Sequence, residues 1–168
     1  MRRTYTPDRY LVLVERLRQA IPDLGLGTDI IVGFPGESDR DFELTLEMVE
    51  TVRYDSAFTF IYSPRAGTEA AAMAHQVPEP VKHARLEQLV ETVQRIASER
   101  NTERIGTVEE VLVEGASRTD PAMLRGRTRR NTMVNFTGVA GPGDLAEVLI
   151  ESATSTTLRG RTTSLIAA

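Results

Sequence analysis

The chain of 168 residues is 40% hydrophobic and carries a net charge of −4 at pH 7, so it can bury one core or two small ones and has no overall basic excess typical of nucleic-acid-binding proteins. It contains no cysteine, which excludes disulfides, thiolate zinc sites, cysteine nucleophiles and iron–sulfur clusters bound by its own side chains. No apolar run approaches the roughly 20 residues of a membrane-spanning helix, and the amino terminus lacks the apolar core of a signal peptide, which predicts a cytoplasmic protein.

The first half of the chain alternates helices and strands. Apolar residues at helical spacing predict a helix over residues 6–20. Residues 27–34 are apolar and β-branched, which favours a strand buried on both faces. A second helix, capped by Ser38 or Asp39, is expected to run to about Val52, and a second strand follows over residues 56–62. This order predicts the βαβ unit of a parallel sheet or barrel.

The second half changes in character. A long amphipathic helix is predicted over residues 81–104, and glycine-rich turns then separate short alternating segments. We expect strands over residues 108–114, 132–137 and 146–150 and a final strand within 152–163. Several short strands at this spacing indicate a small antiparallel barrel. The predicted domain boundary lies near Ile105, between residues 1–104 and 105–168.

The stretch TDIIVGFPGE, residues 28–37, is the most informative one for a binding site. Asp29 puts a carboxylate in an apolar strand, which costs free energy unless it faces a polar cavity or a partner. Gly33 and Gly36 let a ligand approach the carboxyl end of the strand, where α/β folds bind ligands. The alternative is a tight turn with a buried, hydrogen-bonded Asp. A small protein that binds a nucleotide or metabolite at this turn is a further possibility, but Asp29 and Glu37 are its only candidate catalytic groups.

A cluster of arginines lies in the second half. Five of them fall within thirteen residues and are offset there only by Asp120: Arg118, Arg125, Arg127, Arg129 and Arg130. Such a cluster can neutralise nucleic-acid phosphates, and the alternative is a solvated loop whose arginines touch nothing. Three nearby residues are expected to add hydrogen bonds or base stacking: Asn131, Asn135 and Phe136. His75 and His83 are too few to predict a metal site.

Three motifs, in this order, resemble those of the methylthiotransferase branch of the radical-SAM enzymes. They are TDIIVGFPGES, VRYDSAFTFIYSPRAGT, and LVEGASR together with LRGRTRRNTMVNFTG. The resemblance covers nearly the whole chain and implies an α/β part followed by an all-β part. The first would be the C-terminal part of a radical-SAM partial (β/α) barrel, and the second a small TRAM-like, RNA-binding β-barrel.

The resemblance also implies a function. GRTRRNTMVNF and a late LRG are most similar to the enzymes that add a methylthio group to C-2 of isopentenyladenosine beside the tRNA anticodon. The implied cofactors are S-adenosylmethionine and two 4Fe–4S clusters, and the implied partner is the tRNA anticodon stem-loop. Family members that act on threonylcarbamoyladenosine or on a ribosomal protein are alternatives. The implied cofactor-binding residues are Asp29, Ile31, Gly33, Glu37, Tyr62, Ser63 and Pro64; Ala66 replaces a proline that most members have.

The cysteines that ligate the family's clusters are missing from this sequence. Members carry a CxxxCxxC motif and three further cysteines, and their chemistry needs those thiolates. We therefore expect the isolated chain to be catalytically inactive, without a catalytic residue of its own, and to be a fragment in which Met1 is an internal methionine. A stand-alone RNA-binding module is the alternative.

Overall fold

The computed structural model describes residues 4–118 and 120–166; Met1, expected to be an internal methionine, lies outside them. The helices are α1 (Pro7–Ala20), α2 (Asp39–Val52), α3 (Glu69–Ala72) and α4 (Glu79–Thr102). The strands are β1 (Gly27–Val32), β2 (Ser56–Ile61), β3 (Val108–Ala116), β4 (Leu124–Thr128), β5 (Met133–Thr137), β6 (Leu145–Ala153) and β7 (Thr157–Ile166). The predicted order of an α/β part followed by an all-β part is confirmed.

The chain divides into two compact units. One comprises Gly27–Glu99, and the other comprises the residues up to Leu26 together with those from Arg100 onward. The division therefore falls within α4. The domain boundary predicted near Ile105 stays a prediction.

The starts of α1 and α2 follow the sequence signals. Thr6 caps α1 by accepting a hydrogen bond from the amide of Arg9, and a proline occupies the first turn, where a missing N–H costs nothing. Ser38 caps α2 in a reciprocal capping box, because its hydroxyl accepts from the amide of Asp41 while the Asp41 carboxylate accepts from the Ser38 amide. The predicted cap at Ser38 is confirmed.

In the unit Gly27–Glu99, β1 and β2 pair in parallel, with Asp29 opposite Phe58 and Ile31 opposite Phe60. All four of these residues are exposed, whereas the alternate positions of both strands are half-buried or buried. The expectation that β1 is buried on both faces is wrong, and so is the alternative interpretation in which Asp29 is buried. The reason is that one layer of helices can cover only one face of the β1–β2 sheet, so the other face stays exposed.

In the other unit, β3 to β7 close into a barrel with the strand order β3-β4-β5-β7-β6. The neighbours run antiparallel except β5 and β7, which pair in parallel, so the predicted barrel is confirmed with one parallel pair that was not expected. Its core consists of Val111, Val113, Val134, Phe136, Ala146, Val148, Ile150 and Leu158. Strand β4 was not predicted, and it carries Arg125 and Arg127 of the arginine cluster. The alternative interpretation of the whole cluster as a solvated loop is therefore wrong for these two residues.

None of the helices in residues 4–118 and 120–166 combines the length and the apolar composition that a bilayer crossing requires.

The barrel closes tightly around Gly160 of β7. A Cβ at this position would collide with the carbonyl oxygen of Leu149 and lie 3.0 Å from its carbonyl carbon. We expect Gly160→Ala to lower the free energy of unfolding by about 2 kcal/mol, because backbone atoms cannot move aside as a flexible side chain can. Gly141→Ala is the matched control, since the nearest atom to its Cβ would be 3.6 Å away. Urea unfolding followed by circular dichroism measures both, and equal stabilities would contradict the crowding argument.

Candidate functional site

The turn after β1 is held by its own backbone and by α4. Gly33 adopts φ 74°, and its amide donates to both carboxylate oxygens of Glu37 at 3.1 Å. A Cβ on Gly33 would collide with Cγ of Lys82 and lie 3.0 Å from its Cδ. The Gly36 amide donates to the carbonyl oxygen of His75 at 2.9 Å. The close approach that Gly33 permits is thus used by a side chain of the protein itself.

A buried arginine of α4 donates hydrogen bonds to the residues of this turn. Nη1 of Arg85 donates to Oε1 of Glu37 at 2.7 Å and to its carbonyl oxygen at 3.2 Å, while Nη2 donates to Oδ1 of Asp39 at 2.7 Å. The side chains of Arg85 and Glu37 are only 7% and 12% exposed. Glu37 is therefore committed to the turn, and its carboxylate is already occupied by protein donors.

The segment after β2 lies against the same turn. The Tyr62 ring makes an edge contact with Phe34, at 5.2 Å between centroids, and its amide donates to the carbonyl oxygen of Val32. Lys82 Nζ lies 5.7 Å from the Tyr62 ring centroid. The Tyr62 hydroxyl is buried and has no hydrogen-bond partner among the described residues. Ser63 and Pro64 are exposed.

The residues that the resemblance implies for cofactor binding are not brought together, and five of the seven fall into two groups, apart from the exposed Ser63 and Pro64. Gly33, Glu37 and Tyr62 belong to the packed turn, whereas Asp29 and Ile31 lie on the exposed face of the β1–β2 sheet. The exposed fraction of Ile31 is 39%, so its side chain is accessible to a ligand.

Arg127 organises the turn between β4 and β5. Its Nε donates to Oε1 of Glu114 at 3.0 Å, and its Nη1 donates to the carbonyl oxygen and Oδ1 of Asn131 at 3.0 and 3.1 Å. Asn131 adopts a left-handed conformation with φ 64°, which asparagine tolerates better than most residues. The structure therefore gives Asn131 a role in shaping the turn.

The other arginines of the cluster differ widely in exposure. Arg129 is 78% exposed and lies 3.5 Å from Glu110, and Arg118 is also exposed. Arg125 is 22% exposed beside Glu114. Arg130 is only 8% exposed and forms an ion pair with Asp23 at 3.1 Å. Arg130 is thereby committed to binding the segment after α1.

Phe136 corrects the sequence interpretation. Its side chain is fully buried in the barrel core, so its ring is not available to stack on a base. Alternation along β5 instead turns Asn135 outward, where it is half-buried and pairs with Arg125 on β4.

The TRAM domain family matches residues 103–163. The tRNA-2-methylthio-N(6)-dimethylallyladenosine synthase of Clostridium novyi (strain NT) is 50% identical over 161 residues, which are 95% of this chain and 36% of that protein. The synthase of the same name from Thermoanaerobacter sp. (strain X514) is 47% identical over 167 residues, which are 99% of this chain and 36% of that protein.

The chain is homologous to the C-terminal region of these synthases. The predicted resemblance to the methylthiotransferases is confirmed, and strands β3 to β7 coincide with the TRAM match apart from the last residues of β7. The chain spans about a third of the length of these synthases, 36% in each case.

Sequence reasoning missed two residues of α4 that pack against the turn after β1, Lys82 and Arg85. Both are buried, and they share one face of α4 with the buried apolar residues Leu89 and Ile96. Two basic residues in helical register with core positions were the available signal, because a charge in such a place needs a partner. In the part of the chain that the structure describes, no group of three or more potential ligands could hold a metal ion.

The Arg85 network makes a test of stability possible. We expect Arg85→Ala to lower the free energy of unfolding by about 3 kcal/mol, because Glu37 would remain as a buried charge without a cation. Arg40→Ala is the control: it also removes two ion pairs, with Glu43 and Glu47, but these are exposed, so stability should change little. Urea titrations of both variants measure the difference, and a small effect at Arg85 would show that its ion pairs do not stabilise the turn.

Three charged side chains meet near the start of β3. Arg104 binds Asp23 at 2.5 Å and Glu109 at 3.4 Å. Burial raises the pKa of Glu109 above its ordinary 4.5, the nearby Asp23 charge raises it further, and Arg104 opposes both. Between the ordinary and the raised value, the folded chain keeps a proton that the unfolded chain has released.

The free energy of unfolding should therefore fall as pH rises through that window. We expect Glu109→Gln to remove this slope. The stability of the variant relative to the parent chain should therefore be more favourable near pH 7 than at a pH below the ordinary glutamate pKa of 4.5. Urea unfolding at a series of pH values gives the comparison. A difference between the two chains that does not vary with pH would contradict the raised pKa.

Proposed function

We propose that this chain is the RNA-binding C-terminal part of an enzyme that adds a methylthio group to C-2 of isopentenyladenosine beside the tRNA anticodon. The observation that carries the proposal is a TRAM domain with exposed arginines in a chain homologous to synthases named for this modification. The proposed partner is the anticodon stem-loop of tRNA.

Arg127 and Arg129 are the most suitable phosphate ligands of the arginine cluster. Their side chains are 42% and 78% exposed, and their acidic partners Glu114 and Glu110 are each 32% exposed. Ion pairs in such positions contribute little to stability, so an RNA phosphate can replace the two carboxylates at small cost while Nη1 of Arg127 keeps its bonds to Asn131. Arg130 is not part of the proposed surface, because it is bound to Asp23.

An iron–sulfur cluster does not fit this chain, which has no cysteine to ligate one. The adenine of S-adenosylmethionine is a better candidate ligand. It would contact the exposed side chain of Ile31 and the backbone that follows Tyr62. We assign Gly33 and Glu37 to positioning, since both are used to hold the turn. The methylthio transfer would need clusters bound by the parts of the synthases that this chain does not span.

The test uses the full chain and an isopentenylated anticodon stem-loop RNA that lacks the methylthio group, with an unrelated stem-loop beside it. We expect binding that weakens as salt rises, because binding to phosphates releases counterions. Arg127→Ala with Arg129→Ala should weaken binding and reduce the slope of log K against log salt by about 0.7 to 0.9 for each phosphate that is no longer neutralised.

The control pair is Arg16→Ala with Arg40→Ala, which removes the same charge from exposed positions on α1 and α2. Binding by the control pair should match the parent chain. Failure of the parent chain to bind either RNA at low salt would reject the proposed function. Equal weakening by both pairs would show that net charge, and not these two arginines, determines binding.

A further inference from the structure

The charged residues of the barrel are segregated by strand. The acidic residues that the strands turn outward lie on β3 and β6, and they are Glu110, Glu114, Glu147 and Glu151; Glu109 of β3 is buried. The arginines of the strands lie on β4 and β7, and they are Arg125, Arg127, Arg159 and Arg161. Within the described strands β4, β5 and β7 there is no acidic residue.

The closed strand order turns this pattern into two faces. Because β7 lies between β5 and β6, the strands β4, β5 and β7 are contiguous, and so are β6 and β3. One side of the barrel is therefore basic and the other acidic, although the chain as a whole carries a net charge of −4. Two arginines of β7 thus join those of β4, from which they are separated by more than thirty positions in sequence.

The register lines up the polar side chains of the basic side. Arg125 on β4 pairs with Asn135 on β5, which in turn pairs with Arg159 on β7. Neighbouring strands are about 4.8 Å apart, so the two arginines flank Asn135 across a span of about 10 Å. Arg161 follows two residues later on the same face of β7, opposite Thr137.

These arginines point away from the core. Their neighbours along the strands, Leu158 and Gly160, are buried, and side chains alternate between the two faces of a strand. The side chains of Arg159 and Arg161 are 61% and 54% exposed. A ligand on the outer surface of β4, β5 and β7 would meet both.

We infer that RNA lies across the outer face of β4, β5 and β7, and that Arg159 and Arg161 bind its phosphates together with Arg125 and Arg127. The inference rests on the proposed function, because it assumes that the barrel binds RNA. It extends the RNA surface from the turn between β4 and β5 to a strand that the arginine cluster in the sequence does not include.

The acidic partners of the two β7 arginines can be replaced by RNA phosphates. Arg159 lies 3.5 Å from Asp120, and Arg161 lies 3.1 Å from Glu151, with every one of these side chains at least 43% exposed. Such pairs are weak in water, so a phosphate can displace the carboxylate. The acidic strands β6 and β3 repel phosphates and so confine the RNA to the basic face.

The first experiment compares the parent chain with Arg159→Gln/Arg161→Gln in binding to the same anticodon stem-loop RNA across a salt titration. We expect weaker binding and a slope that is smaller by about 1.4 to 1.8, the sum for two bound phosphates. Arg159→Lys/Arg161→Lys keeps both charges and should retain most of the slope. The control Arg16→Gln/Arg40→Gln removes the same charge elsewhere and should behave as the parent chain.

A second variant tests the inference without changing either arginine. Asp120→Asn/Glu151→Gln removes the two carboxylates that compete with phosphate, so it should bind RNA more tightly than the parent chain. Circular dichroism and thermal unfolding show whether each variant is folded, and the test remains informative through this pair even if the glutamine variant unfolds.

The outcomes separate the two proposals. If the parent chain does not bind RNA at all, both fail. If the parent chain binds, and Arg127→Ala/Arg129→Ala weakens binding, but the β7 arginines and their acidic partners can be changed without effect, then the proposed function stands and the inference about β7 is overturned.

Discussion

The position of strand β7 between β5 and β6 is the constraint on which the barrel depends. Its parallel pairing with β5 and antiparallel pairing with β6 satisfy the backbone groups of both neighbours and remove the open edges that a four-stranded sheet would leave. At Gly160 the backbone of β7 lies so close to the carbonyl group of Leu149 on β6 that a Cβ there would collide with it. Barrel closure and the distribution of charge are thus consequences of the same strand order.

The proposed RNA surface of the barrel depends on local charge, although the chain as a whole is negative. A net charge of −4 describes the sum, whereas a phosphate responds to the charges within about 8 to 10 Å of it at physiological salt. Strand order gathers the arginines on one side, and the carboxylates at its border hold them in defined positions. The exposed ion pairs are weak enough to be exchanged, so pairing within the protein and binding of RNA do not exclude each other.

The unit Gly27–Glu99 uses charge in the opposite way. There Arg85 and Lys82 are buried. Arg85 binds Glu37 in the turn after β1 and Asp39 at the start of α2, whereas Lys82 binds the carbonyl oxygen of Tyr62 after β2 and the carboxylate of Glu79 on α4. A buried charge of this kind adds little net stability but makes the alternatives costly, so it specifies one conformation of the turn. Gly33, one of the two glycines that suggested a ligand in the sequence, serves this internal packing against Lys82. The face that remains open is the one that carries Ile31 and Phe58.

The sequence by itself determined the features that depend on neighbours along the chain. Caps such as Ser38, the alternation of apolar residues in most strands, the lack of cysteine and the resemblance to the methylthiotransferases were all readable without a structure. Strand β4 was not, because only Leu124 of its inward positions is hydrophobic; the other two are Gly126 and Thr128, so no apolar alternation marks the strand.

Only the tertiary structure decided which residues meet across the fold. The pairing of Glu37 with Arg85 and the placement of Arg159 beside Asn135 join residues that are distant in sequence. Periodicity reports which face of an element is apolar, and it predicted neither the order of the strands in the barrel nor the partner of a buried charge. Those depend on how separate elements pack, since backbone hydrogen bonding and burial must be satisfied together.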